Sequence, residues 1–144
     1  MDDSKSFYRM AEKFLYDYLY TRYEIEKLIQ KIRLIDIDVH AQNYNNDSHS
    51  NIPVDPVTDL FMKREKIIYQ INSRQKIISQ VNKFLDTLRI ESRSYPDGVL
   101  IIELLYFCKV KAHDVANKLN ISVRSLYQRK KEIIKFFAEC LQKS

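Results

Sequence analysis

Apolar residues recur every three or four positions between Ser4 and Ile37. Phe7, Ala11, Phe14, Tyr18, Ile25, Leu28, Ile32 and Ile35 form one seam, with Thr21 as its polar member, and Leu15, Leu19 and Ile29 widen it into a stripe. No proline or glycine interrupts the run, so the spacing predicts one long helix over about 4–37, roughly 50 Å at 1.5 Å per residue. Residues 40–54 break the period. Asn43, Asn45, Asn46, Asp47, Ser48, Ser50 and Asn51 make a polar tract ending at Pro53, which reads as a mobile loop. Asp55-Pro56 then offers a cap and a first-turn proline. A second seam, Leu60, Ile67, Ile71, Ile78, Val81, Leu85 and Leu88, carries a helix over about 56–89. The matched lengths favour an antiparallel hairpin. Arg64 and Arg74 interrupt this seam and would be costly if buried alone. They are expected to snorkel, to sit at an open edge, or to pair with Glu24 or Glu26.

Residues 90–95 read as a linker. Ser94 and Asp97 have the spacing of a capping box ahead of Val99, opening a third helix to about Lys109 with Leu100, Leu104 and Phe107 on its inner face. The most distinctive stretch runs from Ala112 to Leu126. Val115, Ala116 and Leu119 give a short helix one apolar edge, and Asn120-Ile121-Ser122 supplies a turn. Small Ala116 permits a close helix crossing. Asn is the usual non-glycine residue in a left-handed exit from a helix. Ile121 plugs the gap, and the Ser122 hydroxyl is placed to cap the next helix. Leu126, Ile133 and Phe137 then face a core. This is the pattern of a helix-turn-helix. The expected architecture is all-α, with a helical hairpin over 1–90 and a helix-turn-helix domain over 95–144.

Composition agrees with helices. One glycine and three prolines in 144 residues are too few for hairpins or sandwiches. With Gly98 alone, no phosphate-cradling loop or dinucleotide fingerprint can form. Cys108 and Cys140 have no metal-ligand spacing with His40, His49 or His113, so no metal or cofactor is expected, and both read as reduced core thiols. No nucleophile–base pair is apparent, which argues against an enzyme. Without a leader or a run near ~20 apolar residues, a cytoplasmic chain with no membrane partner is expected. Charge is the informative quantity. Met1 to Val110 hold 16 basic and 16 acidic residues, whereas Lys111 to Ser144 hold 8 and 3, so the whole +5 lies in the last 34 positions. A local positive field beside neutral flanks suits a polyanion-binding module.

On a recognition helix, Arg124, Gln128 and Lys131 would share the face opposite the core, with Tyr127 at its margin. Arg prefers guanine and Gln prefers adenine, so these four are the base-reading candidates. Lys111, Ser122, Arg129, Lys130 and Lys135 are the phosphate-contact candidates. Tyr106-Phe107, Val115-Ala116, Leu119 to Ser122 and Leu126 to Lys131 together resemble the C-terminal module of small phage and prophage transcriptional regulators of the ArpU and RinA type, whose helix-turn-helix is similar to sigma-factor region 4. The resemblance covers about Pro96 to Leu141. It implies control of late phage operons for packaging or lysis, in a bacterial host cell. Asn120 stands where the family often has glycine, and Arg129 where many such helices bury an apolar residue. Double-stranded DNA is the expected partner. A homodimer through the N-terminal helices is expected from their broad aromatic stripe, with RNA polymerase as a further candidate partner. Two alternatives compete: a DNA-packaging subunit resembling a small terminase, and a helical adaptor that binds only protein.

Overall fold

The computed structural model describes residues 3–46 and 56–144, and those residues are all-helical, with no strand among them. The elements are α1 (Asp3–Tyr16), α2 (Tyr18–Asn46), α3 (Pro56–Ile90), α4 (Gly98–Ile102), a π-helical turn (Glu103–Phe107), α5 (Ala112–Leu119) and α6 (Val123–Lys143). No helix of the described residues is long and apolar enough to cross a membrane. Residues 40–46, expected in a loop, continue α2, while the rest of that loop lies outside the described residues.

The single N-terminal helix expected from the seam is two helices, parted at Asp17. The cause is non-local. The Tyr16 carbonyl accepts a hydrogen bond from Lys109 Nζ at 2.7 Å, and that ammonium lies 3.3 Å from the Tyr16 ring centroid. Two positions further on, the Tyr18 ring stacks on Phe107 at 4.8 Å. Both contacts come from the segment after α4, and they draw the chain out of register where sequence shows no breaker.

The chain forms two compact units, residues 1–19 with 77–144, and residues 20–76. In the first, α1 packs along α6, and Ala11 and Leu15 share a core with Val81, Phe84 and Leu88 of α3, Ile101 and Ile102 of α4, and Leu126, Ile133, Ile134 and Phe137 of α6. Phe84 stacks on Phe137 at 4.3 Å, and Tyr95 on Phe136 at 4.8 Å. The compact unit therefore does not begin at residue 95, because α1 and the end of α3 are built into it. The α1 part of the aromatic stripe, which suggested a dimer, is largely turned inward against α6.

Two local expectations at α4 are corrected. Asp97 sits in the left-handed region (φ 57°) with no side-chain cap bond, so no capping box forms. The buried face of the third helical segment is Ile101, Ile102 and Tyr106. Leu100 is exposed, and Leu104 and Phe107 are only partly covered. Six of the seven residues from Val99 to Leu105 are apolar, so no stripe stood out, and the π-helical turn rotates the residues after it. Cys108 is also not a core thiol. It stands exposed just after that turn, while Cys140 is half-buried.

In the second unit, Thr21, Ile25 and Leu28 of α2 and Ile71 of α3 are buried. The seam arginines find acids: Arg74 lies 3.3 Å from Glu24, and Arg64 lies 2.9 Å from Asp36 rather than near Glu26. Both pairs are partly exposed, which limits each to well under a buried pair's worth.

Candidate nucleic-acid interface

The turn between α5 and α6 is closed by interactions its residue types allow. Asn120 takes the left-handed conformation (φ 56°, ψ 41°). The Ile121 N–H donates to the Ala116 carbonyl at 3.0 Å and the Asn120 N–H to the Asn117 carbonyl at 3.2 Å, the paired bonds of a Schellman motif. Ser122 is extended, and its hydroxyl accepts the Ser125 N–H at 3.0 Å, capping α6. Val115 and Ala116 are fully buried beneath the crossing. The chain reverses with its backbone groups satisfied, and α6 leaves the turn with a fixed rotation.

That rotation is set by the core. Leu126, Ile133, Ile134 and Phe137 are almost wholly buried. At 3.6 residues per turn, Arg124, Gln128, Lys131 and Lys135 then fall within an arc of about 60° on the far side of the helix, and all four are exposed. Tyr127, 53% exposed, marks the margin. Lys135, expected as a phosphate contact, stands on the same ridge as the base-reading candidates. Within the ridge the Gln128 amide donates to Glu132 Oε1 at 3.2 Å, an i,i+4 bond that holds its side chain along the helix.

The other cations are placed differently. Lys111 is exposed at the start of α5, and Ser122 spends its hydroxyl on the cap. Arg129 lies 3.5 Å from Asp97, and Lys130 lies 3.3 Å from Glu12; both are half-buried against the folded unit. Glu12 also accepts the Tyr106 hydroxyl at 2.6 Å. Burial first, then that bond and the Glu12 charge, hold the Tyr106 proton far above the ordinary tyrosine range. Arg129 and Lys130 therefore already have acidic partners within the fold, and the cationic ridge is narrower than sequence spacing suggested.

Two cations escaped the sequence reading. Arg9 and Lys13 of α1 are exposed and line a cleft of about 620 Å³ together with Tyr106, Tyr127 and Lys130. Their i,i+4 spacing was visible, but their nearness to α6 depends on the packing of α1 across it. No family model, curated protein or solved structure matches the chain.

Proposed function

We propose that the chain is a sequence-specific, double-stranded DNA-binding transcriptional regulator. In this reading α5, its turn and α6 act as a helix-turn-helix, and α6 enters the major groove. The observation that carries it is the ridge of Arg124, Gln128, Lys131 and Lys135, aimed away from the core by a helix whose start is fixed by a Schellman turn and a serine cap. Arg124 and Gln128 lie in the first two turns of α6, where a recognition helix meets base edges. Lys111 ahead of α5, and Arg9 and Lys13 along the neighbouring cleft, supply phosphate contacts on either side. The second unit is read as an antiparallel hairpin. Its support is that Glu24 pairs with Arg74 while Asp36, later in α2, pairs with Arg64, earlier in α3. Control of phage late genes rests on the resemblance of residues 96–141 alone.

The test is selection from random double-stranded DNA by the full chain, with sequencing of the bound fraction. A recurrent short motif is expected, bound with an affinity that falls steeply as salt rises. Absence of enrichment, together with no binding at low salt, would overturn the proposal.

A further inference from the structure

The second unit carries a surface that the DNA reading does not use. Leu34, Ile35 and Ile67 form the apolar floor of a hollow of about 380 Å³ between α2 and α3, with Lys31, Lys63 and Lys66 at its rim. A second hollow of about 220 Å³ shares Lys31 and Gln70 with the first and adds Tyr20, Tyr23 and Lys27. The two are one groove. Leu34 is 63% exposed at a position where the outer side of α2 would ordinarily be polar. The single acid lining the groove, Glu24, is held by Arg74. Lys31, Lys63 and Lys66 have no ion-pair partner among the described residues.

We propose that this groove docks an amphipathic helix of acidic character from a protein partner. An apolar floor gains from leucine- or phenylalanine-sized anchors and offers almost nothing to a phosphate, which needs donors at close range. Lysines around such a floor select carboxylates beside the anchors, by steering and by discrimination against basic competitors. Tyr20 and Leu34 are about 21 Å apart along α2 at 1.5 Å per residue. That length matches a helix of about 14 residues with anchors at i, i+4 and i+7.

The experiment is selection, by the full-length protein, from a display library of helical peptides about 15 residues long, with affinity measurement on the winners. Enriched peptides should carry apolar anchors at i, i+4 and i+7 flanked by Asp and Glu. Their binding should weaken on the order of tenfold in Lys63→Glu with Lys66→Glu, and also in Leu34→Gln. All three positions are exposed, and circular dichroism checks that each variant keeps its helices. Winners without acidic enrichment, or binding indifferent to these substitutions, would overturn the proposal. So would transfer of the lysine dependence to mixed phosphatidylglycerol–phosphatidylcholine vesicles with no peptide enriched, or a solution dimer abolished by Leu34→Gln. None of these readouts involves DNA, so failure here and failure of the DNA reading are separate results.

Discussion

Leu15 and Leu19 are the same residue type one helical turn apart, and the fold assigns them opposite energetic weights. Leu15 is 0% exposed, in the core that α1 shares with α6, whereas Leu19 is 50% exposed. Leu15→Ala removes the transfer energy of three carbons and leaves a cavity that close-packed neighbours only partly fill, a loss of about 3 kcal/mol. In a chain of 144 residues that lowers the thermal midpoint by on the order of 10 °C. Leu19→Ala should cost less than about 1 kcal/mol, because half of its side chain is already in water. Thermal and urea melts monitored by circular dichroism, at two protein concentrations a hundredfold apart, measure both. Equal losses would refute this account of α1. A Leu19 penalty that appears only at high concentration would mean that a second copy covers this face.

A fragment of residues 95–144 should not fold alone, since it lacks Leu15, Val81, Phe84 and Leu88, each almost fully buried against it; a cooperative melt of that fragment would contradict the packing of α1 and α3. Tyr106→Phe removes the bond to Glu12 and should cost about 1–2 kcal/mol near neutral pH. The unfolded chain loses the Tyr106 proton near pH 10 while the folded chain keeps it. Stability is therefore full below about pH 10 and falls as pH rises above it, and Tyr106→Phe should flatten that fall; an unchanged alkaline slope in denaturant titrations would contradict this. Asn120→Val forces a branched side chain into the left-handed region and should cost roughly 1–2 kcal/mol, whereas Asn120→Gly should be near neutral; similar melting points for the two would show that the turn has another conformation.

The features legible in the sequence were local. The start of α3 at Pro56, the left-handed Asn120, the Ser122 cap and the inward Leu126, Ile133 and Phe137 all arise from residue type and spacing, and each appears as expected. The misses were set by distant contacts. Nothing near Asp17 marks a break, because Lys109 and Phe107 cause it. The Glu12–Tyr106–Lys130 cluster joins three segments far apart in sequence, so no spacing rule could have taken Lys130 from the exposed face. The capping-box pattern at Ser94 and Asp97 failed for a related reason. The backbone there is tied by bonds from the Ser94 and Tyr95 N–H groups to the Glu91 carbonyl and from Gly98 N–H to the Tyr95 carbonyl, which leaves Asp97 left-handed.

The central claim is that α6 reads DNA through its outward ridge. The most direct measurement is the ratio of affinities for the selected motif and for random DNA, taken at one salt concentration, in the natural chain and in Arg124→Ala, Gln128→Ala and Lys135→Ala. Arg124→Ala and Gln128→Ala should each lose about 1–3 kcal/mol on the motif and almost nothing on random DNA, collapsing the ratio. Lys135→Ala should weaken both alike and reduce the salt slope by about one. Equal losses on motif and random DNA for Arg124→Ala and Gln128→Ala would contradict the account, because the ridge would then hold the backbone without reading bases.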